Sequence, residues 1–182
     1  MQSQNKNQKT WFKFSKPVLL ILLLVAVFIG VAAYLLLKSE PDPTPLKDAA
    51  ARAQEITRVS KEVQQLSNDQ KAQVLAKTAE TMMTSQENGL VQYLNNNGFK
   101  ISQSSLGIYY DKQTDSQLTM ASQSKQLEVT YYDYLRTKIL AYRAALKIST
   151  GEMTQQGKDL VNKYLDNTQT ILNAPQLQTT TQ

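Results

Sequence analysis

The chain has few side chains that could do chemistry, because its 182 residues contain no cysteine and no histidine. Thiol nucleophiles, Ser–His or Cys–His relays and Cys/His metal sites are therefore excluded. Asp111, Asp115 and Asp133 are the only carboxylates whose positions suggest convergence, for acid–base hydrolysis or for binding a hard cation. The alternating ligands of a calcium loop and a glycine-rich phosphate cradle are both missing. We expect no enzyme activity and no catalytic, cofactor or metal site, and a secreted hydrolase using these aspartates stays a third alternative.

Tyrosine is the most distinctive residue of the second half of the chain. Tyr109 and Tyr110 are adjacent, and Tyr132 follows with Arg136 one helical turn later. Tyrosine offers a large rigid contact area and a hydroxyl, and arginine is common at binding interfaces. The pattern predicts that these four residues contact a partner. Three further tyrosines follow a helical stripe and are expected in the core with their hydroxyls at its rim: Tyr131, Tyr134 and Tyr142.

Residues 17–37 form an apolar run of 21 residues without one formal charge. A helix of that length extends about 31 Å, close to the ~30 Å hydrocarbon thickness of a bilayer. A cleaved signal peptide is the alternative, since Gly30, Ala32 and Ala33 resemble a cleavage site. The run continues to Leu37, however, and is longer than the 7 to 15 residues of a signal core. The sequence therefore favours an uncleaved transmembrane helix.

The charges around the apolar run predict its orientation. Residues 1–16 contain four lysines and no acidic residue, and positive charge stays on the cytoplasmic side during insertion. All 15 acidic residues and 16 of the 20 basic ones follow residue 37, so the outer part has a net charge of only +1. We predict a cytoplasmic basic tail, an extracytoplasmic carboxy-terminal part, the lipid bilayer as a partner and no nucleic-acid partner. The topology-determining residues are Lys6, Lys9, Lys13 and Lys16.

The outer part is predicted to be helical. Three prolines at alternate positions mark 38–45 as a short semi-rigid spacer. Apolar residues at helical spacing then predict a bundle over 46–173, followed by a disordered tail at 174–182. The predicted fold class is all-α, with a single N-terminal transmembrane helix followed by an antiparallel three- or four-helix bundle. The face of the first helix opposite its apolar seam is charged, and several of its residues are spaced so that opposite charges can pair: Lys47, Arg52, Glu55, Arg58, Lys61 and Glu62.

Several boundaries inside the bundle stay open. A break near Asn68 decides whether 46–95 is one helix or two. A hairpin joining 90–94 to 99–102 across the Asn-rich turn is the alternative to a helix end there. Residues 99–115 are predicted to be an irregular loop, and helices are predicted over 116–149 and 152–173.

These features predict a single-pass membrane protein whose extracytoplasmic helical bundle acts in protein–protein interaction or assembly within a bacterial cell envelope. The alternative is a ligand- or glycan-binding module at the cell surface that uses the tyrosines. An apolar seam does not say whether its partner lies in the same chain, so homo-oligomerisation stays open.

The predicted orientation can be measured with protease on intact cells carrying a C-terminally tagged chain. We expect the tag and the outer part to be digested, because both lie outside the membrane, while a cytoplasmic marker protein survives. Digestion of the outer part only after permeabilisation would contradict this orientation.

Overall fold

The computed structural model describes residues 42–149 and 153–178, together with Val27. These two ranges contain six α-helices, one 3-10 helix and no strand, so the all-α prediction is confirmed for them. The elements are α1 Thr44–Leu66, α2 Gln70–Asn96, the 3-10 helix Gln103–Tyr109, α3 Lys112–Gln123, α4 Leu127–Ile148, α5 Gln155–Leu172 and α6 Pro175–Gln178.

The predicted membrane anchor lies outside the described residues, apart from Val27. The same holds for the basic tail 1–16 with Lys6, Lys9, Lys13 and Lys16, and for 38–41 of the spacer. None of the helices that the structure describes combines the length and the apolar character needed to cross a bilayer.

Four long helices pack around one core in a closed ring of contacts. Helix α1 packs against α2 and α4, and α5 packs against the same two helices from the other side. The hydroxyls of Ser60 in α1 and Tyr131 in α4 lie 2.9 Å apart, so α4 begins beside the end of α1. Helices α1 and α4 therefore run in opposite directions, as do α1 and α2 across their short turn.

The turn at 67–69 settles the open question of the first helix, which is divided in two. Ser67 has an extended backbone, and the Asp69 carboxylate accepts a hydrogen bond of 2.8 Å from the Ala72 amide at the start of α2. The Ser67 hydroxyl also donates to Glu128 at the start of α4. Helix-capping side chains thus fix this end of the bundle.

The connection from α2 to α4 is more ordered than predicted. It contains the 3-10 helix and α3, so the prediction of an irregular loop over 99–115 is wrong. The prediction of one helix over 116–149 is also wrong, because the chain breaks at Lys125, which has a positive φ of 60°. The alternative of a hairpin at 90–102 is wrong too, since α2 continues to Asn96.

The carboxy-terminal segment is anchored where a disordered tail was predicted. Residues Pro175–Gln178 form a helical turn, and Leu177 is only 1% exposed. The Arg136 guanidinium of α4 donates a hydrogen bond of 2.8 Å to the Leu177 carbonyl. The tail prediction is therefore wrong for 175–178, because one leucine among polar residues gives no periodic signal. Residues 179–182 lie outside the described range.

Helices α2 and α5 approach each other through a reciprocal pair of glycine contacts. A Cβ added to Gly89 in α2 would collide with the Tyr164 hydroxyl of α5 and lie 3.1 Å from its Cζ. A Cβ added to Gly157 in α5 would lie 2.7 Å from Cζ of Tyr93 in α2. Each helix thus has a glycine at the point where it contacts a tyrosine of the other helix.

Gly89→Ala tests this packing. Alanine normally stabilises a helix interior by up to ~1 kcal/mol over glycine, but here we expect a loss of about 1–3 kcal/mol from overpacking against Tyr164. Urea unfolding followed by circular dichroism measures the change, and the loss should shrink in a Tyr164→Phe background. Gly107→Ala is the matched control, since nothing lies within 4 Å of its added Cβ. Equal stability of Gly89→Ala and the parent protein would refute the contact.

Candidate functional site

Part of the charged face of α1 is covered by a distant segment. The 3-10 helix and α3 both pack against α1, and Glu55 is only 5% exposed. Opposite charges on this face pair as their spacing predicts, Arg58 with Glu55 and with Glu62. We call the two arginine–tyrosine pairs that join these elements the clamp: Arg52 with Tyr109, and Arg58 with Tyr110.

In the first pair of the clamp, the Asp48 carboxylate binds both Arg52 and Tyr109. Arg52 Nε lies 2.8 Å from Asp48 Oδ2, and Arg52 Nη2 donates to the Tyr109 hydroxyl at 2.7 Å. The Tyr109 hydroxyl itself donates to the other oxygen of Asp48. Burial, together with this bond to Asp48, raises the pKa of Tyr109, so its hydroxyl keeps the proton that it donates.

In the second pair of the clamp, the Arg58 guanidinium contacts three carboxylates. Arg58 lies 2.8 Å from Glu55, 2.6 Å from Asp115 and 3.5 Å from Glu62. Its Cζ also lies 4.7 Å from the ring centroid of Tyr110, a cation–π distance. Arg58 therefore links α1 to both the end of the 3-10 segment and the first turn of α3.

The charges around Arg58 do not balance, since three carboxylates face one cation. Burial and the negative charge of Asp115 raise the pKa of Glu62, against the lowering effect of Arg58. The hydrogen bond to Glu55 raises the pKa of Arg58, which therefore stays charged. The guanidinium is the group that keeps these carboxylates together at neutral pH.

Three tyrosines predicted at the rim of the core are deeper than expected. Tyr131 and Tyr142 are fully buried, and the Tyr134 hydroxyl is also shielded from solvent. Of these three hydroxyls, only that of Tyr131 has a partner among the described residues, Ser60. Burial raises the pKa of each of these tyrosines. The prediction that their hydroxyls lie at the rim is therefore wrong, because all three hydroxyls are shielded from solvent.

The four residues predicted to contact a partner are not brought together. Tyr109 and Tyr110 belong to the clamp and bind side chains of α1. Tyr132 lies on α4 with its ring 6.2 Å from that of Tyr131. Arg136 contacts the carbonyl of the carboxy-terminal turn. Tyr109 and Tyr110 therefore have contacts inside the bundle, although Tyr110 is 51% exposed, and partner binding by the four residues stays a prediction.

The three aspartates have separate roles. Asp111 caps α3 by accepting from the Gln113 amide at 2.8 Å, and Asp115 pairs with Arg58. Asp133 is exposed on α4. Within 42–149 and 153–178, no group of three acidic side chains is arranged to hold a metal ion.

A groove that was not predicted from the sequence follows the seam between α2 and α5, and we call it the α2–α5 groove. Three cavities of about 680, 590 and 200 Å³ follow one another along it. Ser85 lines both of the larger cavities, while Val74 and Thr78 line the middle and the smallest one. The abundance of Asn, Gln, Ser and Thr on one side of α2 was the available signal.

The chain was also compared with known proteins. No family model, no curated protein and no solved structure matches it. Its function is therefore inferred from its own residues and their geometry.

Removal of the Arg58 side chain tests the clamp. Arg58→Ala should lower the free energy of unfolding by about 2 kcal/mol. This loss lies between the ~0.2–1 kcal/mol that exposed ion pairs contribute and the ~3–5 kcal/mol lost when a buried pair is broken. Limited proteolysis should then cut the 97–111 segment before the rest of the bundle. Lys61→Ala is the control, since its ammonium is exposed and 4.0 Å from its partner.

The loss of stability in Arg58→Ala should become smaller as the pH is lowered towards 4.5, because protonation of Glu62 relieves its repulsion with Glu55 and Asp115. A penalty independent of pH would contradict the assigned charge imbalance.

Proposed function

We propose that this chain is a single-pass membrane protein whose antiparallel helical bundle stands outside the membrane and binds another protein in a bacterial cell envelope. The proposal combines the uncharged run at 17–37, the basic residues before it and the helical bundle after it. It includes no catalytic role for the bundle. The bilayer and a protein partner are the two partners that it requires.

The observation that carries the interaction role is an apolar stripe on the outer face of α4. Leu140 is 50% exposed and Ile148 is 73% exposed, with exposed Ala144 halfway between them. Residues four apart in a helix lie above one another on the same side. The three side chains therefore form a continuous strip that the bundle itself leaves uncovered, of the kind that a partner helix can cover.

The other two functions have less support at the residues that the sequence suggested for them. Tyr109 and Tyr110 bind Asp48, Arg52 and Arg58, which leaves them less free to receive a glycan. Asp111 and Asp115 bind other groups in the structure, so a hydrolase that uses them would need a rearrangement. The α4 stripe has no competing internal partner among the described residues, and we favour it for that reason.

A photo-crosslinking experiment in intact cells tests the α4 stripe. p-Benzoylphenylalanine replaces Leu140 in the full-length chain, and the crosslinked products are identified by mass spectrometry. We expect one defined protein adduct, which Ile148→Glu should reduce at least tenfold, because a charge opposes burial of the strip. A product of twice the mass of the chain would identify the partner as a second copy.

Two controls accompany the experiment. The same photoreactive residue at Lys71, which is exposed on α2, should give no such adduct. The unfolding midpoint of Ile148→Glu should stay close to that of the parent protein, as expected for an exposed position. Identical adducts from positions 140 and 71, or none from 140, would refute the assignment of the interaction surface to α4.

A further inference from the structure

The α2–α5 groove has its most polar lining in the largest cavity, whereas most of the exposed surface of the other two cavities is apolar. Its larger cavities are bordered by amides and hydroxyls from both helices. The charged residues along them are Lys77, Asp159 and Lys163, and Lys77 is already paired with Glu80 at 2.8 Å. An anionic ligand would require an excess of free cations here. The groove is instead suited to a neutral ligand that both donates and accepts hydrogen bonds.

Gln86 lies at the centre of this groove and is the most informative residue in it. It is only 1% exposed, it lines the middle cavity, and neither its amide nitrogen nor its amide oxygen has a partner in the described part of the chain. A buried polar group without a partner costs about 1–3 kcal/mol. Both atoms are also shielded from solvent, so a ligand reaches this donor and acceptor when the side chain turns into the middle cavity, opposite Asn167 of α5.

Aromatic rings border the largest cavity. Tyr93 and Tyr164 both line it, and the contacts of these rings with Gly157 and Gly89 hold them in place. The rings therefore add fixed apolar edges to a surface that is otherwise amide and hydroxyl. Sugars present this same combination, with apolar C–H faces and hydroxyls that both donate and accept.

From these features we infer that the α2–α5 groove binds an uncharged oligosaccharide chain, and that the Gln86 side chain turns into the groove so that its amide bonds a pair of neighbouring sugar hydroxyls. The groove extends from Asn97 at the end of α2 to Val74 near its start, so a chain of several sugar units fits along it. The site is independent of the α4 stripe, because α2 and α5 form a different side of the bundle. It also differs from the tyrosines that the sequence suggested for a glycan.

An extended peptide is the nearest competing ligand, since its backbone also carries donors and acceptors. A partner helix is less suitable, because its backbone groups are already bonded to one another. We favour the sugar over the peptide because the cavity that holds the two tyrosines is lined mostly by amides and charged groups. An extended peptide normally adds apolar pockets for alternate side chains to its backbone contacts.

The experiment uses the full-length chain in lipid nanodiscs. Isothermal titration calorimetry measures binding of chitotetraose, cellotetraose and maltotetraose, three uncharged tetrasaccharides, and of tetra-alanine as the peptide probe. We expect saturable binding of at least one sugar and none of tetra-alanine. Saturable binding of tetra-alanine alone, or of no probe, would overturn the inference.

Two variants and a control locate the site. Gln86→Leu should weaken sugar binding about tenfold to thirtyfold, the effect of losing two hydrogen bonds of ~1 kcal/mol each. It should not lower the unfolding midpoint, because it removes an unpartnered buried amide. Ser85→Trp should abolish binding by blocking the junction of the two larger cavities. Gln123→Leu, at an exposed position on α3, should change neither property.

Some results would assign Gln86 a purely structural role. If Gln86→Leu destabilises the fold and leaves sugar affinity unchanged, the amide serves the bundle and the inference fails. The same holds if a crystal structure shows ordered water on both amide atoms and Ser85→Trp binds sugar as well as the parent chain. Loss of the α4 crosslink with retained sugar binding would refute the proposed protein partner and leave this inference standing.

Discussion

The structure depends on the path of the connection between α2 and α4. Helix α2 has 27 residues and ends where α1 begins, whereas α4 begins where α1 ends. The chain must therefore cross about 35 Å, the length of the 23-residue α1, before α4 can start. It does so along the outside of α1, through the 3-10 helix and α3. This path makes α1 the most enclosed helix that the structure describes.

Enclosure of α1 explains both its composition and the clamp. Four alanines of α1 have no exposed surface, so neighbouring segments approach it closely on several sides: Ala49, Ala50, Ala51 and Ala53. The face under the connection is charged, and a buried charge is costly unless it is paired. Arg58 meets this requirement for three carboxylates, and Arg52 does so for Asp48. The clamp thus joins the apolar bundle to the polar connection between α2 and α4 without leaving these ions unpaired.

The outer face of α4 and the α2–α5 groove differ in chemistry. The outer face of α4 carries an apolar strip, which suits a protein surface. The largest cavity of the α2–α5 groove is lined mostly by amides and charged groups. Tyr93 and Tyr164 fill the space that Gly157 and Gly89 leave between these two helices. The proposed protein partner and the proposed sugar would therefore bind on different sides of the bundle.

The spacing of apolar residues was sufficient to predict the all-helical class and most core positions, because both depend on local periodicity. The helix ends near Asn96 and Leu172 were predicted from stop signals close to them in the chain. The lack of cysteine and histidine limited the chemistry in the same direct way. The charge spacing of α1 predicted the ion pairs within that helix, but the sequence does not show that a distant segment covers them. The adjacent tyrosines stand out in the sequence, but whether Tyr109 faces a partner or Asp48 depends on a contact 61 residues away along the chain. Only the tertiary structure brought Gln86 and Asn167 to one groove, because their neighbourhood is created by the packing of two helices and not by their positions in the chain.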